Sequence, residues 1–549
     1  MIQEGYEEFS DSQVKILEYF VTNSSSNVFA LRNLPEVIKG ALFSRYSRSR
    51  LGLRSLLLKE FISNDETAFD SIVGSWEVEE GETQSQLVAI KRAQNFYDRI
   101  LDGYGDDSIG ELGGAHLALE NISMIASKAL EDSRIGGSPL EKSTRYIYFD
   151  QKVNGEYQFY REPILMTSAY RQVYVDTCNM LFDTYSNLIP LLTSVMEDKN
   201  PRGENVSKAA YTAALRAKVL DCLRGLLPAG TLTNMGIYGN GRFFDGLLRK
   251  LYCNNLAELQ DIGKRSYEEL SKVIPSFVRR AEPSHCHCLS DVGYRENMEK
   301  QLREVFARQL DLPECFKIPG VRLVSFDADA VKKVAAALLF PYGNHSLLEL
   351  QRYCEGLSDE EIAGVLDAAC FERENRRHKS PRALEHAQFT FEIIADFGIY
   401  RDLQRHRILT QERQLLSCDY GYYCPPDLEG TDMMQEYCRA MDRAKEAFDT
   451  IADEFPEEAQ YIVPMAYNIR WYFNVNLRAL QWICELRSSA AGHSSYRYVA
   501  QEMAKEVFDC TPEFKRFFKF VDFEGYELGR MQQEERGVKR KVEKIRENG

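Results

Sequence analysis

Two fragments of this chain concentrate groups that hold anions. Arg405-His406-Arg407 sets two guanidinium forks around an imidazole, and Glu141-Lys-Ser143-Thr144-Arg145-Tyr146 sets an acceptor, a hydroxyl and a guanidinium on alternate residues. Paired arginines can clasp a diphosphate or a carboxylate bidentately, with the histidine against a ring. In an extended loop Glu141, Ser143 and Arg145 would face one side, able to hold a sugar and its phosphate. Arg487 is a third candidate. It falls on a helical stripe with Leu480, Ile483 and Cys484, and an arginine on an apolar face needs a partner with acceptor oxygens. Each group has a plainer reading: a solvated helix end for Arg405–Arg407, and a buried ion pair or a snorkelling side chain for Arg487.

The elements that would position these residues come from an internal repeat. Val28–Phe43 and Val321–Leu338 each read as a short strand, a turn and an amphipathic helix. Later in each half, Leu227-Pro228 precedes Asn240-Gly-Arg242 as Val463-Pro464 precedes Asn476-Leu-Arg478. The first match is offset by about 293 residues and the second by 236, so repeat one holds roughly 60 extra residues. The polar stretches Ser63–Gln86 and Asn154–Tyr160 are where surface insertions are expected. Gln388-Phe-Thr-Phe-Glu-Ile alternates as a half-buried strand does. Ile399, Leu403 and His406 follow helical spacing, which predicts that Arg405–Arg407 form the last turn of a helix, and Asn476–Arg487 reads as a second helix. In repeat one the matching stripe is Phe244, Leu247, Leu248 and Leu251, plain core with leucine in the slot of Arg487.

Composition narrows the class. The chain has 549 residues, 44% hydrophobic and 28% charged, with a formal net charge of −15. That length predicts several domains, and that charge argues against coating nucleic acid or a membrane surface. No apolar run approaches the length of a membrane span, the first residues lack a signal-peptide pattern, and 13 scattered cysteines suit a reducing cytoplasm. His285-Cys286-His287-Cys288 has no second ligand pair, so no metal site is expected there.

Taken together, these residues resemble the flavin-dependent thymidylate synthases, in a tandem, double-length form. Repeat two carries His378-Lys-Ser380 and Glu385-His386, then Arg405-His406-Arg407, then Asn476-x-Arg478 and Arg487. Its following loop is too long and has Asp419 where the family has an arginine that faces phosphate. Repeat one is the converse. Asp132-Ser-Arg134 stands in for Arg-His-Arg, while Glu141-x-Ser143-x-Arg145 is present, and Arg224 matches a further nucleotide-binding arginine where repeat two has Gln460. The sequence also departs from the family at Asp402, a glutamine position, and at Trp482, an asparagine position.

The resemblance implies an α+β fold of two related repeats, each an antiparallel sheet packed with long helices. The expected organisation is an N-terminal extension (1–27), repeat one (28–290), a linker (291–320), repeat two (321–525) and a charged tail (526–549). It implies methylation of dUMP to dTMP with FAD, NADPH and 5,10-methylenetetrahydrofolate, at a composite site between repeat two and repeat one. FAD would be held by Arg405, His406, Arg407, Ser380, Asn476, Arg478 and Glu141. The nucleotide would be held by Glu141, Ser143, Thr144, Arg145, Arg224 and Arg487, with Arg487 activating the uracil. A cytoplasmic homodimer forming a pseudo-tetramer of repeats is expected, with no nucleic acid or membrane partner. A non-catalytic flavin- or nucleotide-binding descendant and a flavoenzyme on another nucleotide are the alternatives.

Overall fold

The computed structural model describes residues 9–25, 29–34, 36, 38–39, 42–43, 51–62, 110–309 and 317–548. The surface insertion read at Ser63–Gln86, and positions 28, 35, 37, 40 and 41 of the strand, turn and helix read at Val28–Phe43, lie outside the described residues.

Repeat one contains β1 (Gly114–Ser123), α1 (Met124–Glu131), β2 (Gly137–Glu141), α2 (Arg171–Lys199), α3 (Lys208–Leu223), β3 (Leu232–Asn240), α4 (Gly241–Tyr252) and α5 (Ala257–Val273). The following helix α6 spans Cys286–Gln309, so the segment read as a linker begins inside a helix. Repeat two contains β4 (Gly320–Phe326), α7 (Ala330–Leu339), β5 (Gln388–Asp396), α8 (Phe397–Leu403), β6 (Thr410–Arg413), α9 (Asp432–Ala452), β7 (Asn468–Asn476), α10 (Leu477–Arg487) and α11 (Ser494–Cys510), and the charged tail holds α12 (Met531–Asn548). The fold is α+β, with a three-stranded sheet of order β1-β3-β2 and a four-stranded antiparallel sheet of order β4-β5-β7-β6.

The chain forms two compact units that cut across the repeats. The first comprises Met1–Leu119, Ile135–Leu140 and Met235–Leu310; in it α4 packs on α5 and buries Phe244, Leu247, Leu248 and Leu251, as the apolar stripe predicts. The second comprises Glu120–Arg134, Glu141–Asn234 and Asp311–Gly549, and so holds parts of both repeats. Its core is the face of the four-stranded sheet bearing Phe389, Phe391, Ile393, Trp471, Phe473 and Val475, all buried. Removing each of these large side chains from water is worth roughly 1.5–3 kcal/mol.

Both repeats use one local device twice. A strand ends on a polar residue whose side chain caps the next helix, satisfying an N–H that has no partner within the helix. Ser123 accepts from Ala126 N (2.9 Å) and Asp396 from Ile399 N (3.0 Å). Asn240 accepts from Phe243 N (2.8 Å) and Asn476 from Ala479 N (2.9 Å).

Equivalent segments also bond to each other. Ala229 N donates to Val463 O (2.8 Å) and Met465 N to Leu227 O (2.9 Å); Gly230 N donates to Tyr461 O (2.7 Å) and Ala466 N to Gly225 O (2.9 Å). Within each pair the residues exchange roles under the 236-residue offset, as they would across a two-fold axis.

The surplus of repeat one is distributed differently from the sequence reading. Tyr174 Oη donates to Tyr160 O and Tyr437 Oη to Tyr423 O, an offset of 263. By Pro228 and Pro464 the offset is 236, so 27 surplus residues lie between these landmarks, outside both polar stretches. That interval holds α3, where repeat two has only the short turn Glu458–Ile462. Its Ala-rich sequence, with Ala210, Ala214 and Ala217 buried, is helix-forming and carries no loop signal.

Candidate active site

The helix preceding the Arg-His-Arg fragment is shorter than its apolar spacing predicts. α8 stops at Leu403, and His406 N donates to Leu403 O (3.2 Å) across a turn. The side chain of Gln404 draws the chain out of the helix, bonding to Lys128 O (3.0 Å) and to the Asp132 carboxylate. Arg405–Arg407 therefore follow the helix instead of forming its last turn. The Glu141–Arg145 loop is also not extended. Tyr146 N and Ile147 N both donate to Ser143 O, and Ser143 Oγ accepts from Arg145 N (3.3 Å). This turn sends Glu141 and Arg145 to different partners, and Thr144 is buried beside them.

Arg145 is buried and forms a bidentate pair with Asp221 at the end of α3, Nε to Oδ1 and Nη2 to Oδ2, both 2.6 Å. Its Nη1 donates to Tyr496 Oη on α11 (3.0 Å). Burial opposes ionisation of Asp221, but Arg145, His493 and Arg224 outweigh it and hold the carboxyl down at about 2.

Arg224 follows α3 directly, and its Nη1 lies 3.6 Å from the Asp402 carboxylate of repeat two. The same carboxylate lies 3.9 Å from Arg487 Nη1. Arg487 also donates from Nη2 to the Asp402 carbonyl and from Nε to His406 Nε2 (2.9 Å). Accepting at Nε2, His406 is a neutral imidazole; burial and the Arg487 charge push its pKa well below the usual histidine value. Asp402 is driven the other way. Burial disfavours its charge, yet Arg224, Arg145, Arg487 and Arg405 hold it ionised far below the usual carboxylate range. The guanidinium groups of Arg145 and Arg487 each lie 5.5 Å from the Tyr496 ring centroid. Two arginines of repeat one and Arg487 and His406 of repeat two thus meet around Asp402 and Tyr496 in a single chain. The partner that Arg487 needs on its apolar stripe is this pair, His406 and Asp402.

Glu141 anchors an adjoining charge cluster. Fully buried, it accepts from Ser127 Oγ (2.9 Å), Lys128 Nζ (3.0 Å) and Arg401 Nη2 (2.6 Å), with Arg405 Nη2 at 3.6 Å. Burial raises its pKa, but Arg401, Lys128 and Arg405 lower it by more, to about 2. Lys128 and Arg401 sit 273 positions apart on α1 and α8, helices that follow equivalent capped strands. Arg405 keeps 37% of its side chain exposed, and Arg407 is exposed.

Other candidates are placed apart. Ser380 Oγ donates to Gln481 Oε1 (2.7 Å), and Arg478 bonds to Ser380 O (2.8 Å) and Glu385 Oε1 (2.6 Å). The side chain of Asn476 is occupied as a helix cap, and Trp482 is partly exposed beneath the Arg376 guanidinium, 5.7 Å away. Asp419 N donates to Ser417 Oγ (3.3 Å), repeating the Ser143–Arg145 turn, and its carboxylate lies 4.0 Å from Lys445 Nζ. His285 and His287 stack at 5.3 Å at the start of α6, and no group of three or more His, Cys, Asp or Glu side chains converges as a metal site among the described residues.

A cleft opens at the Arg145–Asp221 pair, walled by Lys218, Tyr423, His493 and the segment Tyr526–Arg530. Arg530 ties that segment down, with its guanidinium 4.4 Å from the Tyr146 ring centroid and Nε donating to Ala491 O (3.2 Å). Asp221, His493 and Tyr496 are the site residues that sequence reasoning missed. Asp221, three residues before Arg224, had a signal in that spacing; the other two had none.

Fold and geometry together define a tandem α+β protein in which arginines of both repeats gather around Asp402. The model of the family described as thymidylate synthase complementing protein matches the chain twice, over residues 63–276 and 322–513, and the chain belongs to that family. It is 56% identical to a UPF0159 protein of Chlamydia pneumoniae, over 96% of this chain and 98% of that one. A UPF0159 protein of Thermoplasma acidophilum is 33% identical over 91% and 98%. A flavin-dependent thymidylate synthase of Clostridium tetani is 25% identical, over 36% of this chain and 85% of its own length. No described helix is long and apolar enough to cross a membrane.

Proposed function

We propose that this protein methylates dUMP to dTMP, using FAD, NADPH and 5,10-methylenetetrahydrofolate, at the site that the two repeats build together. The observation that carries this reading is the meeting of Arg145 and Arg224 with Arg487 and His406 around one point.

Three guanidinium groups within reach of one another suit a ligand with a phosphate at one end and an anion-forming ring at the other. Arg145 and Arg224 would take the phosphate, with Ser143, Thr144 and the backbone amides of the turn beside it. Arg487 would lie along the uracil edge and stabilise negative charge that develops on the ring. Neutral His406, accepting from Arg487 Nε, fixes the guanidinium plane without adding a competing charge. Glu141 would act through Arg405 and Arg401, holding them in place.

The residues suit a flavin dinucleotide. Arg405 lies 3.6 and 3.9 Å from its nearest carboxylates and is more than a third exposed, so its donors can turn to a diphosphate, and Arg407 is exposed beside it. Ser380, Asn476 and Arg478, placed apart from Arg405 and Arg407, would hold another part of the dinucleotide. Bound there, a flavin would supply the reducing equivalents needed to turn a one-carbon unit into a methyl group. The proposed assembly is a cytoplasmic homodimer, a pseudo-tetramer of repeats.

A second reading, a nucleotide-binding protein without catalysis, is favoured by Asp221 and Asp402, which already neutralise the arginines. Purified protein separates the two. Flavin absorbance, NADPH oxidation that rises with dUMP, and rescue of a thymidine auxotroph are expected for the enzyme; a colourless, inactive preparation overturns it.

A further inference from the structure

The Asp402 carboxylate reaches an arginine from each repeat. It lies 3.6 Å from Arg224 and 3.9 Å from Arg487, and Arg145 adds to the field that keeps it ionised. Its side chain is 21% exposed and that of Arg487 is 15% exposed, so solvent reaches the pair. Arg224, by contrast, is 4% exposed and its Nη2 has no hydrogen-bond partner. A buried guanidinium with one fork unpartnered and its nearest carboxylate beyond hydrogen-bond distance is under-satisfied. An incoming tetrahedral anion can offer oxygens at both forks, whereas the Asp402 side chain is tied to its own backbone, whose carbonyl accepts from Arg487.

We propose that Asp402 is a built-in competitor for the anionic end of the ligand, and so a residue that sets the affinity and selectivity of this site. This inference rests on reading Arg145, Arg224 and Arg487 as the ligand-holding set. Before a ligand arrives, Asp402 holds the Arg224 and Arg487 guanidinium groups in place without fully satisfying them. A phosphate must then exchange with this carboxylate or bind against its charge, and either route weakens binding in proportion to the charge of the ligand. A ligand without the phosphate carries no charge to repel and gains little from the removal of Asp402.

The experiment titrates the full chain and its D402N and D402E variants with inorganic phosphate, dUMP and deoxyuridine, by calorimetry. D402N is expected to bind phosphate and dUMP about tenfold or more tightly than the unmodified chain. Deoxyuridine should change by less than about threefold, and D402E, which keeps the charge, should stay near the unmodified affinities. Tighter phosphate binding with no dUMP binding by any form supports the competitor role and overturns the substrate assigned under the proposed function. Phosphate affinity unchanged or weakened in a folded D402N protein overturns the competitor role, whatever dUMP does. If D402N does not fold, D402S replaces it under the same criteria.

Discussion

Pro228 and Pro464 face each other as an antiparallel bridge. They are the same position of two repeats, 236 residues apart, and the hydrogen bonds on either side of them are exchanged in reciprocal pairs. A symmetric dimer makes such isologous contacts between two chains. Here one chain makes them with itself, and Arg145 and Arg224 of one repeat and Arg487 of the other gather near Asp402 and Tyr496.

If the site lies within one chain, halves from different chains cannot complement. Arg145→Ala and Arg487→Ala should each abolish dUMP-dependent turnover, by at least about a hundredfold, consistent with loss of a charge-stabilising group. A mixture of the two variants, refolded together, should stay inactive. Recovered turnover in that mixture would show the site to be shared between chains. Asp419→Ala, on the repeat-two loop, should leave activity within about twofold; a loss like that of Arg145→Ala would overturn the composite site.

The pseudo-axis is tightly packed. A Cβ on Gly225 would stand 2.5 Å from Tyr437 Oη and 2.9 Å from Ala466 Cβ, and one on Gly230 would stand 2.9 Å from the Tyr461 carbonyl. Gly230→Ala meets backbone, which cannot swing away, so it should cost about 1–3 kcal/mol in denaturant unfolding. Gly246→Ala, with open space around it on helix α4, should be neutral or mildly stabilising. Equal effects of the two would show that the repeats are loosely joined.

Histidines and carboxylates set opposing pH dependences. Burial and the Arg224 charge press His493 down to about 3, and His406 is lowered as well. Near pH 6 and below, the unfolded chain takes up protons at these two positions that the folded chain refuses, so stability falls as pH drops below about 6.5. Each such proton is worth about 1.4 kcal/mol per pH unit. Asp396 opposes this. Burial raises it to about 6 despite Arg224, so between about pH 6 and 4 the folded state binds the extra proton and gains stability. The net expectation is a loss of stability as pH falls from 7 toward 4, reduced in His493→Gln. Below pH 4, Asp221, Asp402 and Glu141 add further loss as their ion pairs are protonated. Denaturant melts at pH 7, 5 and 4 test the sign; greater stability at pH 4.5 than at pH 7 would contradict it.

The segment Tyr526–Arg530 should be held chiefly by backbone fit and by Arg530. A side chain on Gly529 would overlap the Ala490 carbonyl, so Gly529→Val should lift the segment from the Ala490–Ala491 loop. Limited proteolysis near residues 524–531 should speed up several-fold in Gly529→Val and in Arg530→Ala. Unchanged cleavage would show that α12 alone anchors the segment.

Much of this was legible in the sequence because it depends on short-range physics. The alternation Gln388–Ile393 gave β5, the stripe Leu480–Ile483–Cys484 gave α10, and the matched prolines and asparagines gave the repeat. The deficits of each half, Asp419 against Arg145 and Leu251 against Arg487, were also visible there, and the composite site that the family resemblance implies from them stands as a proposal.

Where side chains point once chain segments meet was decided only by tertiary structure. Apolar spacing carries α8 through His406, but Gln404 finds Lys128 O in the other repeat and ends the helix early. Glu141 and Arg145 look like neighbours on one face, yet a turn sends one to Lys128 and Arg401 and the other to Asp221. Ion pairs between residues 76 to 260 positions apart leave no periodic trace, because any acid of suitable reach could serve. Asp402 is the clearest case. Its identity was plain in the sequence as a departure from the family, but its role depends on two guanidinium groups that only the folded chain brings to its side.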